Sequence, residues 1–278
     1  MIHKIDNKLL TGPIEVTLVG SGGTGSHVLR RLAIIHKTML TLGHPYGLNV
    51  TVYDPDTVSE ANVGRQAFYP TDVGLHKATI LVHRCNMMLQ TKWVAIPEKF
   101  SAGTNRYKCN LIIGCVDNRK ARNDILKASK QYYSFSSTYW LDFGNREQDG
   151  QVILGQVMSE AGEKKIKKQD GLRLPHAGDL FPELLDALLD DDDETPSCSL
   201  AEALEKQSLF INDTVANAGM NMLWELLRYG QISYHGVFIN TKTGRANPLP
   251  IDPEAWKRFG YGVKTKKSPR KKRDALSI

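Results

Sequence analysis

The chain has 278 residues, 41% hydrophobic and 24% charged, the make-up of a soluble globular protein with core material for one large domain or two small ones. That excludes disordered, collagenous and coiled-coil chains, and no stretch approaches the ~20 apolar residues needed to span a bilayer. The net charge of +6 is local: KTKKSPRKKR, residues 264–273, holds seven of the 36 basic residues, and without it 29 basic residues face 30 acidic ones. A near-neutral body therefore carries a basic tail over 264–278. That tail is read either as a solvated flexible terminus or as a contact for nucleic acid, an acidic partner or a membrane surface. The start, MIHKIDNKLL, has no apolar region of a secretory signal, and four cysteines do not make a disulfide scaffold. Both point to the reducing cytoplasm.

In chain order, Ile14–Val19 (IEVTLV) reads as a strand stopped by glycines, and Ser26–Ile35 places apolar residues at helical spacing. Asn49–Tyr53 is a second strand, ended by Asp54-Pro55-Asp56, and Ala78–Leu89 is a helix. Leu111–Val116 (LIIGCV) is a fully apolar strand stopped by Asp117-Asn118, and Trp140–Phe143 and Gln151–Leu154 are two more. Strands alternating with helices predict a doubly wound, mostly parallel α/β sheet of Rossmann type. Residues 156–198, Lys- and Gly-rich and then acidic at DDDDE (190–194), predict a mobile crossover insertion. Ser199–Tyr229 repeats apolar residues every three or four positions, which predicts one long helix. Gly236–Asn240 and Ala246–Ile251, joined by TKTGR, predict a hairpin, so that 199–263 completes the domain begun by 1–155.

Gly20-Ser21-Gly22-Gly23-Thr24-Gly25 fits G-x-G-x-x-G between a strand and a helix, where glycines let the backbone approach a phosphate at a helix N-terminus. Asp54, ending the second strand, is placed to accept ribose hydroxyls, or is a plain turn former before Pro55. Dinucleotide enzymes and ATP-using enzymes share these features. The residues beyond Asp54, with Asn62, Arg65 and Lys77, favour ATP, because departing pyrophosphate develops charge that fixed cations stabilise.

Taken together, these segments resemble the E1-like adenylating family of ThiF, MoeB and ubiquitin-activating enzymes. Gly20, Gly22, Gly23 and Gly25 fit its GxGGxG, and Asp54 with Asp56 its D-x-D. Asn62-Val63-Gly64-Arg65-Gln66 resembles N-L-x-R-Q, and Asp72-Val73-Gly74 with Lys77-Ala78 resembles D-[VI]-G-x-x-K-A. Asp117-Asn118 with Arg122 fits D-[NC]-x-x-x-R, and Gly150-Gln151-Val152 a later G-Q-V strand. Within the family, a Thr-Pro-Ser-Cys-Ser-Leu-Ala-Glu segment, FINDTVANAGMNMLWELL and GVFINTKTG look most like ThiF-like proteins of the bacterial PRTRC cassette, a plasmid or mobile-element setting.

The resemblance implies an adenylation fold and an ATP-dependent adenylation of a carboxylate, the C-terminus of a small ubiquitin-like or sulfur-carrier protein encoded nearby, by a homodimer. It assigns phosphate to Gly22, Gly23 and Gly25 and ribose to Asp54. Asn62, Arg65 and Lys77 would neutralise the phosphates, and Asp117 would hold Mg²⁺; Asp56, Gln66 and Asn118 join the nucleotide-binding set. The C-x-x-C pairs that hold zinc in many relatives are missing, so no zinc is expected. An N-terminal R-x-x-R-Q-like stretch is missing too: the first 13 residues offer Lys4 and Lys8 but no Arg.

Cys198 follows Pro196, which cannot lie inside a helix, and so stands at an expected helix start, where N–H groups stabilise a thiolate. It is read as a nucleophile for a thioester step, or as a partly buried helix-start cysteine. Two other functions explain less of the sequence. An NAD-dependent Rossmann oxidoreductase leaves Arg65, Lys77 and Asp117 idle. A non-catalytic nucleotide-binding scaffold would use the basic tail to recruit DNA or a partner.

Overall fold

A computed structural model describes residues 1–103, 109–131, 138–158, 162–164, 166, 172–190 and 208–262. In chain order it contains β1 (His3–Lys4), α1 (Asn7–Thr11), β2 (Ile14–Val19), α2 (Gly23–Thr41) and β3 (Leu48–Tyr53). Next come α3 (Lys77–Leu89), β4 (Val94–Ile96), β5 (Leu111–Gly114), α4 (Arg119–Gln131), β6 (Thr138–Asn145) and β7 (Asp149–Val157). The last elements are α5 (Ala177–Leu180), α6 (Ile211–Tyr229), β8 (Gln231–Ile232), β9 (Tyr234–Asn240), β10 (Arg245–Pro250) and α7 (Pro253–Trp256).

Eight strands form one sheet in the order β10-β9-β7-β6-β5-β2-β3-β4. The five from β4 to β6 run parallel, and β7, β9 and β10 continue antiparallel. The parallel part is mostly apolar because helices cover both its faces, and its buried exceptions, such as Asp142 of β6, are paired. Leu111, Ile113 and Leu141 point into a large core shared with α2, α3 and α6, while Ile112 and Trp140 point to a smaller one under α4. β10, sequence RANPLP, is an edge strand carrying Pro248 and Pro250.

Two regions differ from the sequence expectation. The long helix does not run unbroken from Ser199 to Tyr229. Residues 208–210 are turn, Ser208 N–H donates to the Glu147 carbonyl at 2.8 Å, and α6 starts at Ile211. The apolar period continues through Phe210, but that tertiary hydrogen bond redirects the backbone. Within the expected mobile insertion, residues 172–190 pack on the body: Leu174, Ala177 and Leu180 are buried. Arg173 ties this stretch to Gln156 O at 3.0 Å, to Asp179 at 2.8 Å and to the Tyr261 hydroxyl at 2.9 Å. Its glycine and charge content hid a few well-placed apolar anchors.

Candidate functional site

Strand order reverses beside β2, with β3 and β4 on one side and β5 and β6 on the other. Open α/β sheets bind ligands at the carboxyl ends of such strands. Gly20 leaves β2 with φ +87° and its N–H donates to the Tyr53 carbonyl at 2.9 Å. A Cβ there would lie 2.5 Å from the Cys115 carbonyl, so glycine alone makes this turn. Gly22 is the N-cap of α2 and no side chain caps that helix. Its first N–H groups are therefore available to an anion.

The glycine turn is wired to the end of β3. Asp54 Oδ2 accepts from Ser21 N–H at 2.5 Å and from Ser21 Oγ at 2.9 Å, and Oδ1 accepts from Asp56 N–H at 2.9 Å. Asp54 is buried, yet a carboxylate offers about four lone-pair positions, which leaves room for further donors. Asp56 in turn pairs with Lys77, Nζ to Oδ2 at 3.0 Å. Lys77 is buried in the first turn of α3, while the Asp56 side chain is mostly exposed.

The segment between them closes over the other side of the turn. Ser26 Oγ accepts from Ala67 N–H at 3.2 Å. Gln66 is buried beside Gly22, and its Oε1 has no hydrogen-bond partner among the described residues. Asn62 is buried as well, but its Oδ1 accepts from Ser59 N–H at 2.9 Å as part of a capping box, so it shapes the turn leading to Arg65. Burial lowers the Arg65 pKa from its ordinary value, and the Arg65 backbone hydrogen-bonds the His27 ring.

On the β5–α4 side Asp117 is exposed, and Asn118 rather than Asp117 caps α4, its Oδ1 accepting from Ala121 N–H at 2.8 Å. Asp117 is thus free of the capping role. Arg122 lies beneath, paired through Nε with Asp142 of β6 at 3.2 Å and donating from Nη2 to the Phe143 carbonyl at 3.1 Å. Burial raises the Asp142 pKa, and the Arg122 charge pulls it back. Asp190, first of the acidic run, accepts from the N–H groups of Arg119 at 2.8 Å and Lys120 at 3.0 Å, closing the N-terminus of α4.

Four contributors were missed by sequence reading. Asp142 lies inside an apolar strand and looks like core. Asp190 was read only as part of a charge run. Asn212 and Asp213 open α6, and nothing in FINDTV signals that they meet α2. Asn212 Oδ1 accepts from Thr24 Oγ1 at 2.9 Å and from Asn145 Nδ2 at 3.0 Å. Asp213 pairs with His27 at 3.0 Å and Arg31 at 2.9 Å.

The structure therefore brings Gly20, Gly22, Gly23, Gly25, Asp54, Asp56, Gln66 and Lys77 around one turn, with Arg65 adjoining and Asp117 and Asn118 on the neighbouring strand end. Cys198 and the basic tail lie outside the described residues. Cys85 and Cys109 have their thiol pKa pushed up to about 11 by burial, and Cys115 is raised further for the same reason with Asp142 nearby. A raised thiol pKa leaves little thiolate, the form that acts as a nucleophile. Among the described residues no helix is long and apolar enough to cross a membrane.

A family model described as "ThiF family" matches residues 7–240. No curated protein matches the sequence. Among solved structures, the crystal structure of PaaA is similar at a TM-score of 0.57 and 15% identity, over 86% of this chain and 64% of that one. This chain thus spans less than two thirds of that protein's length. At that identity the likeness speaks for the fold.

Proposed function

We propose that the chain, which belongs to the ThiF family, is an E1-like enzyme that uses ATP to adenylate the C-terminal carboxylate of a small ubiquitin-like or sulfur-carrier protein. One observation carries the reading. An unbroken run of hydrogen bonds links Ser21, Asp54, Asp56 and Lys77, fixing an acceptor carboxylate and a buried cation beside an uncapped helix N-terminus.

The residues fit the nucleotide. The start of α2 offers N–H donors to phosphate, and Asp54 and the unpartnered Gln66 Oε1 offer acceptors to ribose hydroxyls. Lys77 and Arg65 supply positive charge. In the reaction a carboxylate oxygen of the substrate forms a bond to the α-phosphorus. The bond from that phosphorus to the β-bridging oxygen breaks, and pyrophosphate leaves with the electron pair. Lys77 and Arg65 would stabilise the charge gathered on the phosphates, an effect worth ~10²-fold or more per group. Asp117, exposed and not used as a cap, is the residue that would hold Mg²⁺, which when bound screens phosphate charge. In this reading the Cys198 thiolate then attacks the acyl carbonyl of the adenylate, forming a thioester as the acyl–oxygen bond breaks and AMP leaves with the electron pair; the enzyme acts as a homodimer, and a gene nearby encodes the substrate.

The test is ATP–pyrophosphate exchange with purified candidate partners, preceded by a nucleotide panel. ATP with Mg²⁺ should raise Tm and NAD should not. Exchange that depends on a partner with a free C-terminus supports the reading. Stabilisation by NAD instead would return the chain to the oxidoreductases. ATP binding without exchange by any partner would leave a scaffold.

A further inference from the structure

We infer that Asn212 and Asp213, adjacent in the first turn of α6, are positioning residues for the phosphate end of the nucleotide site; this rests on the ATP reading above. Each reaches a different phosphate-facing segment. Asn212 leans on the glycine turn: a Cβ on Gly23 would stand 2.7 Å from its Oδ1, and that oxygen accepts from the Thr24 hydroxyl at 2.9 Å. Asp213 holds His27 at 3.0 Å, and the His27 ring hydrogen-bonds the Arg65 backbone. Two neighbouring side chains on one helix thus span both walls of the turn.

Packing alone does not call for these residues. Asn212 is buried among Ile211, Val215, Ala216 and Met220, a face otherwise apolar. Burying an amide there is unfavourable unless its polar atoms find partners, and its oxygen finds two, in Thr24 and Asn145. The Asn145 amide also ties the same oxygen to the end of β6, so the glycine turn is held against the sheet as well as against α6.

The consequence is selective. The ribose end of the site would be set by Ser21 and Asp54, which are hydrogen-bonded to each other, whereas the bonds from Asn212 go to Thr24 and Asn145. The phosphate end depends on where Gly22, Gly23 and Thr24 stand. A shift of that turn weakens several N–H bonds to phosphate at once and spares the ribose contacts.

The experiment measures Kd for ATP with Mg²⁺ and for adenosine in wild type, Asn212→Ala and Thr24→Val. Thr24→Val removes only the hydroxyl donor, and it keeps the test valid if Asn212→Ala does not fold. Asn221→Ala, exposed on the same helix, serves as control. The expected result is an ATP Kd raised ~10-fold in both test variants, with adenosine within about twofold. Asp213→Ala should raise the KM for ATP and leave the KM for the protein substrate unchanged. Equal weakening of ATP and adenosine, or an unchanged ATP Kd, overturns the inference. A wild-type protein that binds adenosine but gains nothing from phosphates, or binds neither, overturns the ATP reading itself and the inference with it.

Discussion

Lys77 is joined to Asp56 twice, once through its backbone N–H to the Asp56 carbonyl at 3.0 Å and once through Nζ to the carboxylate at 3.0 Å. The side chain is thereby held at the start of α3 before any ligand arrives. A charge fixed in advance costs little reorganisation when phosphate binds, which makes it an effective stabiliser of a charged transition state.

Lys77→Ala and Arg65→Ala are each expected to slow pyrophosphate exchange by ~10²-fold or more. Asp117→Ala should abolish Mg²⁺ dependence along with activity. Exchange near wild-type rate in all three would remove these residues from the chemistry.

Asp54→Ala strips the acceptor from three donors at once, two of them on Ser21. Buried donors left without partners cost ~1–3 kcal/mol each, so Tm should fall together with ATP affinity. Ser21→Ala removes the hydroxyl alone and should lower stability much less. Equal Tm values for the two variants would contradict this wiring.

The Arg122–Asp142 pair is buried on both sides. Replacing Arg122 by Met or Asp142 by Leu alone leaves one buried charge uncompensated and should destabilise by ~3–5 kcal/mol in urea unfolding. The double variant should lose less than the two losses added. Strict additivity would show that the pair does not interact.

His3, His176 and His235 are buried and neutral, each with its pKa lowered to about 4 by desolvation. In His235, Nδ1 meets the Leu154 carbonyl at 2.9 Å, and Nε2 has no partner among the described residues to receive a second proton. In the unfolded chain these imidazoles titrate near 6.5, so between about pH 6.5 and 4 that chain holds more protons. Stability is therefore full above that window and falls as pH drops through it. His235→Met should reduce the pH slope of the unfolding free energy by about one proton. A wild-type profile flat from pH 7 to 5 would refute the assignment.

Turn chemistry made much of the site legible. Gly20 and Gly25 declare a backbone that tolerates no side chain, and Asp54 closes a strand of β-branched residues. Those signals are local, so the sequence carries them directly. The Arg122–Asp142 pair was not legible, because its members lie on separate elements and Asp142 sits in a run, YWLDF, that reads as core. Periodicity likewise carried the long helix through Ser208–Phe210, since the hydrogen bond to Glu147 that turns the chain is tertiary. The packing of residues 172–190 escaped for the same reason. Leu174 and Leu180 follow no repeat, and the bonds of Arg173 that hold this stretch are to distant residues such as Gln156 and Tyr261.

The two prolines of β10 limit how another protein can approach. Among the described residues β10 has no neighbour on its outer side, and Pro248 and Pro250 take alternate N–H donors out of its backbone. The opposite border, β4, is three residues long. A visiting chain finds too few donors at one border and too short a run at the other to extend the sheet by strand addition. On the proposed reading, a small protein presenting its C-terminus would be recognised by side chains and loops rather than by adding a strand to either described border of the sheet.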